Sequence, residues 1–111
     1  MDAEQARLVI IRDLIMDSIA DDFESFETIC DSVDRWDSEK RNIKPDIFEV
    51  ERGLLQLIEA GLANAYALTN TIEKIDLRDE ILANLNGLYF YLSREGLEVL
   101  RMKSEKAPPA S

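Results

Sequence analysis

The chain has 111 residues, of which 46% are hydrophobic, 23 acidic and 13 basic, and it contains no histidine. This length and apolar fraction indicate one globular domain with a packed core and exclude wholesale disorder. The formal net charge of −10 argues against a generic binder of nucleic acid or of anionic membranes, because both need a positive surface.

The N-terminal segment is acidic where a signal or transit peptide would be basic, and the longest apolar run, residues 8–11, is too short to cross a bilayer. We therefore expect a cytoplasmic protein with no membrane partner. Helix is predicted over residues 3–20, because apolar residues recur there with the 3.6-residue period of an amphipathic helix. This helix is apolar over much of its circumference, so it is either central to the core or also packs on a partner chain.

A second helix of about eleven residues is predicted to begin near Ser25, whose hydroxyl can accept a free backbone N–H. Cys30 falls on its apolar stripe, and we interpret it as a buried small hydrophobic residue, because no histidine is present to lower its pKa. A lone cysteine excludes an internal disulfide and is typical of a reducing compartment. Residues 37–44 are predicted to form a polar connection.

Pro45 fits the first turn of a third helix, where its missing N–H costs nothing. Phe48 extends the apolar face of this helix in our interpretation. Gly53 lies within it and is explained either by the close approach of another helix backbone or as a neutral accident. The helix is predicted to end at Gly61, since glycine readily adopts the left-handed conformation of a C-cap.

Two strands are predicted after the third helix. Residues 62–68 alternate larger residues with alanine, and residues 88–92 form an aromatic-rich run. Residues 69–83 carry no clean period, so a long hairpin loop and a short helix near residues 77–83 both stay open. A turn is predicted at residues 84–87.

The last helix is predicted over residues 94–103 with Ser93 as its N-cap. Apolar residues of this helix and of the first one predict a homodimer, since small domains gain buried area by pairing. The alternative is that these residues cover the core of the single chain. Residues 104–111 contain two prolines and are predicted to be a flexible tail, which leaves a single domain over residues 3–103.

The predicted order is helix, helix, helix, strand, strand, helix, mainly α with a small β-hairpin, as in a winged helix-turn-helix domain. The run Leu-x-x-Leu-Ile-x-x-Gly-Leu at residues 54–62 resembles the end of a recognition helix and its turn into the wing. The segment Tyr89–Leu97 resembles the returning wing strand and the cap of the next helix in PadR-like and MarR-like transcriptional regulators. The resemblance extends over residues 5–103. It implies that the third helix enters the major groove of DNA and that the wing touches the flanking backbone or the minor groove.

Basic residues are concentrated in the middle of the chain, where residues 35–52 carry five bases and five acids. The candidate DNA-binding residues are Arg35, Lys40, Arg41, Lys44, Arg52 and Gln56, with Lys74 and Arg78 in the wing. Arg52 and Gln56 suit base edges. On the same outward face, Asp46 and Glu49 would lie against phosphates and oppose binding. The wing is also net negative.

Three classes of function follow from these observations. The leading hypothesis is a regulator of winged-helix type, and the alternative is a winged helix that binds a basic protein partner and no DNA. An enzyme is the third class. Asp21, Asp22 and Glu24 form an acidic cluster whose spacing matches no cation loop, and the chain has neither a glycine-rich phosphate loop nor a Ser/His/Asp set. We therefore expect no catalytic activity, no cofactor and no metal.

Overall fold

A computed structural model describes residues 3–40 and 42–106 of the chain, an α+β fold. The helices are α1 (Ala3–Ser18), α2 (Phe26–Lys40), α3 (Ile47–Glu59), α4 (Arg78–Ala83) and α5 (Arg94–Lys106). The strands are β1 (Glu24–Ser25), β2 (Ala63–Leu68), β3 (Ile72–Ile75) and β4 (Tyr89–Leu92), with a 3₁₀ turn at Leu85–Gly87. In the described ranges, no helix combines the length and the apolar character that a membrane span requires.

The strands form one antiparallel sheet in the order β1-β4-β2-β3. Ala65 of β2 lies between Phe90 of β4 and Ile75 of β3. Ala63, Ala65, Phe90 and Leu92 are buried, whereas their neighbours along each strand are more exposed. The two-residue rhythm that predicted the strand at residues 62–68 is thus seen in the burial of both strands and marks the side of the sheet that faces the core.

The core lies between this sheet and the first three helices, and α1 packs on both α2 and α3. Four apolar residues of α1 are buried in it, as is Ile19 just after the end of the helix; the four are Ile11, Leu14, Ile15 and Met16. The wide apolar face of α1 is thus largely buried in the core of the single chain. This agrees with the alternative to a homodimer, in which these residues cover the core of one chain. Leu97 and Met102 of α5 remain exposed.

The observed order of elements differs from the predicted one by two strands and one helix. β1 has two residues and pairs with β4, so its position is set by a distant partner and not by a local pattern. β3 is an exposed strand at the edge of the sheet, with no buried face to give it an alternating sequence. The helix α4 corresponds to the short helix left open near residues 77–83.

Several predicted boundaries also shift. α2 continues to Lys40, so residues 37–40 are helical and not part of a polar connection. The prediction that Pro45 lies in the first turn of α3 is wrong, because Asp46 is the N-cap and Pro45 precedes it. β4 begins at Tyr89, and α5 extends through Lys106 instead of ending at residue 103. Residues 107–111 of the predicted tail lie outside the described residues.

Three predicted caps are confirmed. The Oγ of Ser25 accepts the N–H of Thr28 at 3.2 Å in the first turn of α2. Gly61 follows α3 with a φ of 77°, in the left-handed region. Ser93 accepts the N–H of Gly96 at 3.0 Å and donates to the carbonyl of Gly61 at 2.6 Å, so one hydroxyl fastens the start of α5 to the end of α3.

Gly53 lies where α3 meets α1, but the atoms nearest to it are side-chain atoms, so the close approach of a helix backbone is not what the structure shows. A Cβ at this position would be 3.0 Å from Cδ1 of Ile15 and 3.3 Å from Cγ2 of Ile11. The neighbouring atoms belong to side chains of α1 and not to its backbone. Glycine therefore allows the two helices to pack more tightly than alanine would.

Candidate functional site

The connection between α2 and α3, which determines how the predicted recognition helix is presented, is built on a buried aspartate. Asp37 is 1% exposed, and its Oδ1 and Oδ2 accept the backbone N–H groups of Ile43 at 2.9 Å and Lys44 at 2.7 Å. Lys44 has a φ of 52°, an uncommon conformation for a residue with a side chain. Asp37 therefore has a structural role, whereas the sequence placed it in a polar connection.

The start of α3 is fixed by a reciprocal pair of hydrogen bonds. Oδ1 of Asp46 accepts the N–H of Glu49 at 2.9 Å, and Oε1 of Glu49 accepts the N–H of Asp46 at 3.1 Å. This arrangement is a capping box, which satisfies two otherwise free donors at a helix N-terminus. Both acids expected to lie against DNA phosphates are therefore used to begin the helix.

Glu49 also fastens α3 to α1. Both of its carboxylate oxygens accept hydrogen bonds from the guanidinium of Arg7, one of them at 2.9 Å from Nη2, and the same Nη2 donates to the carbonyl of Lys44 at 3.3 Å. The hydrogen bond from Arg7 is the main reason why the pKa of Glu49 lies below its ordinary value. The same bond raises the pKa of Arg7. The prediction that Glu49 faces outward is thus wrong, because its side chain is turned towards α1 and half-buried.

Three of the predicted DNA-binding bases lie beside carboxylates. These ion pairs, measured from nitrogen to oxygen, are Arg52–Glu4 at 3.7 Å, Lys74–Asp76 at 3.4 Å and Arg78–Glu59 at 2.7 Å. All three bases are more than half exposed, so each pair contributes little to stability. A neighbouring carboxylate nevertheless cancels much of the positive potential that a phosphate would meet.

The remaining candidates are spread over α2 and the α2–α3 connection. Arg35 is exposed on α2, Lys40 is the last residue of that helix, and Lys44 is exposed in the connection. Arg41 lies outside the described residues. Gln56 is half-buried on α3. Among the candidates, Arg52, Gln56 and Arg78 are brought to one place.

That place is an open groove of about 470 Å³ between α3 and α4, which we call the α3–α4 groove. Its lining comes from the outward face of α3 and from one side of α4: Phe48, Glu51, Arg52, Leu55, Gln56 and Glu59, with Arg78 and Leu82. The Arg78–Glu59 ion pair joins α4 to the C-terminal end of α3. The outward face of the predicted recognition helix is therefore one wall of a groove and not a freely protruding surface.

The most exposed apolar side chain of this groove is Phe48, at 76%. The prediction that Phe48 belongs to the apolar core face of the helix is wrong. Leu82 of α4 is also exposed, and Leu55 lies buried at the base of the groove. Phe48 and Arg52 also line a second hollow, which reaches Glu4 and Leu8 of α1. The aromatic ring of Phe48 is thus exposed to solvent and borders both hollows.

The described residues offer little to a catalytic interpretation. They contain no group of three or more acidic, histidine or cysteine side chains that could hold a metal ion. Burial raises the pKa of the Cys30 thiol to about 11, and the nearby charges of Asp34 and Asp31 add to the shift. The thiolate is therefore a minor species at neutral pH, which is unfavourable for a nucleophile.

Comparisons of this chain with known protein families, with curated proteins and with solved structures give no match.

Proposed function

We propose that this chain is a non-catalytic protein-interaction module of winged-helix type, and that the α3–α4 groove is its binding face. The observation that carries the proposal is the exposure of Phe48 in the groove that Leu55 and Leu82 also line. In this proposal, the architecture of the module is three helices followed by a β-hairpin. The proposal selects the protein-binding alternative over the DNA-binding regulator.

An exposed phenylalanine in the lining of a groove is a feature of binding surfaces more than of inert ones. Burying a fully exposed phenylalanine side chain contributes roughly 1.5–3 kcal/mol. Aromatic residues are enriched at the centres of protein interfaces, and apolar groups clustered in a concavity are typical of interaction sites. Phe48 has no core role that would account for its place, since it is 76% exposed.

Charge and shape both disfavour DNA on this face. α3 and α4 together carry five acidic residues against Arg52 and Arg78, and each of these two bases has a carboxylate beside it. A duplex would also have to pass α4, which is joined to the end of α3 at Glu59. The affinity of a protein for duplex DNA comes largely from basic side chains that neutralise phosphates. Because the bases on this surface already lie beside carboxylates, we expect little affinity for DNA.

The first test is a titration of labelled duplex DNA at low and at moderate salt. We expect no binding at low salt. Salt-sensitive binding that Arg52→Ala reduces would overturn the proposal and favour the regulator.

The second test places a photo-crosslinking amino acid at position 48 in cells that produce the chain. We expect adducts that protease removes and nuclease leaves intact. The same amino acid at position 72 is the matched control, because Ile72 is 63% exposed and belongs to β3, away from the groove. Nuclease-sensitive adducts at position 48, or equal protein adducts at both positions, would contradict the proposal.

A further inference from the structure

We infer that the partner occupies the α3–α4 groove with a basic amphipathic α-helix, an inference that rests on the proposed function. Three properties of the groove support this inference: the spacing of its lining residues along α3, its charged side chains and the helical backbone of its walls. The partner helix is expected to present an apolar stripe to Phe48, Leu55 and Leu82, with lysine or arginine along its borders.

The spacing of the groove fits about three turns of helix. Phe48, Glu51 or Arg52, Leu55 and Glu59 follow one another at steps of three or four along α3, so they form a single stripe. From Phe48 to Glu59 this stripe rises about 16 Å. A partner helix lying along it would therefore present anchors at positions i, i+3 or i+4, and i+7, which is the usual pattern for a helix bound in a groove.

The walls of the groove favour a helix over an extended peptide. Both walls are helices, and along the longer wall, α3, the backbone groups between the two end turns are engaged within the helix. An extended peptide would leave its own N–H and C=O groups without partners against the apolar part of the groove, at a substantial cost in free energy. A helical peptide satisfies these groups internally and needs only side-chain contacts from the protein.

The charges at the groove favour a basic partner. Glu51 is half-buried in the lining and has no ion-pair partner among the described residues. Asp79 and Glu80 are exposed in the first turn of α4. The two bases of the groove, Arg52 and Arg78, already face carboxylates. A lysine or arginine on the border of a partner helix would therefore lie beside the carboxylate of Glu51, and Asp79 and Glu80 add negative charge on α4 just outside the lining.

The same charge disfavours a second copy of this chain as the occupant. Each copy carries a formal net charge of −10, and like charges at close range oppose association. The acidic residues of the groove would face another acidic molecule. A foreign basic helix has no such penalty.

The inference can be tested with a display library of helical peptides of about 14 residues, or four turns. Every member carries a fixed leucine stripe, and the border positions vary among lysine, glutamate and glutamine. Selection is carried out against the full chain, and affinities of the recovered peptides are measured in solution. We expect lysine to be enriched at the borders, and backbone amide shifts on binding to concentrate in α3 and α4.

Three variants locate the site. Phe48→Ala is expected to weaken binding by at least about tenfold, since the exposed aromatic anchor of the groove is lost. Ile72→Ala is the matched control and is expected to leave the affinity unchanged, because Ile72 is exposed in β3. Glu51→Lys is expected to weaken the lysine-bordered peptide by about tenfold and to strengthen its glutamate-bordered counterpart. Thermal unfolding of each variant verifies that the fold is retained.

The possible failures separate the inference from the proposed function. Enrichment of glutamate borders, or of peptides that bind at the α3–α4 groove in an extended form, would overturn the inference and leave the proposed function standing. Binding that Phe48→Ala leaves unchanged would overturn both. A concentration-dependent dimer that Phe48→Ala disrupts would identify a second copy as the occupant and overturn the choice of a foreign helix.

Discussion

Replacing Asp37 with alanine is expected to destabilise the domain strongly, although the substitution removes a charge from a very acidic protein. Asp37 is 1% exposed and accepts the backbone N–H groups of Ile43 and Lys44. These two bonds close the loop between α2 and α3. Without the carboxylate, both N–H groups lose their acceptor, and the loop must find another way to hold Lys44 at its positive φ.

The expected cost follows from the number and kind of bonds lost. A hydrogen bond to a charged group contributes about 1.5–3 kcal/mol. The two donors lie near the surface, where water can replace part of the lost bonding, and the buried charge itself carries a desolvation cost. We therefore expect Asp37→Ala to lower the free energy of unfolding by about 2–4 kcal/mol. For a domain of this length, such a change lowers the Tm by roughly 10–15 °C.

Urea unfolding followed by the fluorescence of Trp36, beside the substituted residue, and by far-ultraviolet circular dichroism measures this cost. Glu39→Ala is the matched control, since Glu39 is an exposed acid in the same helix. Asp37→Asn keeps one acceptor oxygen and is expected to fall between the control and Asp37→Ala. If the free energies of unfolding of Asp37→Ala and Glu39→Ala lie within about 0.5 kcal/mol of each other, the two hydrogen bonds that Asp37 accepts do not stabilise the domain, contrary to this prediction.

Three further predictions concern single side chains. Alkylation of Cys30 in the folded protein at about pH 8 is expected to be about 100-fold slower than in urea, because a pKa of about 11 leaves little thiolate; equal rates would contradict this. Gly96→Ala is expected to cost roughly 2–4 kcal/mol in urea unfolding, since a Cβ there would lie 2.0 Å from a backbone carbonyl oxygen, whereas Gly53→Ala meets only side-chain atoms, the nearest being methyl groups at 3.0 and 3.3 Å, and should cost less than Gly96→Ala. The pKa of Glu49 is lower in the folded state than in the unfolded state, first because of its hydrogen bond from Arg7. Its stabilising contribution is therefore present above about pH 4.3 and is lost as the pH falls through the folded-state pKa. Glu49→Gln should flatten the fall of the unfolding free energy in this acidic range, and an unchanged slope would count against the pairing.

The elements that could be predicted from the sequence are those whose own pattern faces the core. α1, α3, β2 and β4 each carry apolar residues at the period of their backbone, and these residues are buried in the structure. β1 and β3 have no such pattern. β1 exists because Ser25 and its neighbour pair with β4, and β3 exists because it pairs with β2 at the sheet edge. A strand that forms because of its pairing partner has no characteristic pattern of its own, so it could not be predicted from its local sequence.

The acidic residues around α3 likewise include some whose role could be predicted from the sequence and some whose role could not. The spacing of Asp46 and Glu49 is that of a capping box and was available in the sequence as a helix start signal. The role of Asp37 was not available, because its backbone donors lie six and seven residues further along the chain. The pairing of Arg7 with Glu49 joins residues 42 positions apart and depends on how α1 packs against α3. Net charge alone therefore overstates how many acids are free to meet a partner.

The placement of Phe48 shows why the candidate site was only half predictable. Val50 is buried and Phe48 lies two residues before it, about 200° around the helix, so the period of α3 already places this ring opposite the core. Leu55 follows the buried Leu54 by about 100° and would be a solvent-facing residue on an isolated helix, yet it is buried at the base of the groove. Leu55 belongs to the buried core cluster, and Leu82 of α4 lines the same groove. The outward face of α3 is therefore one wall of a groove whose other wall comes from α4, and the period of α3 alone could not predict that second wall.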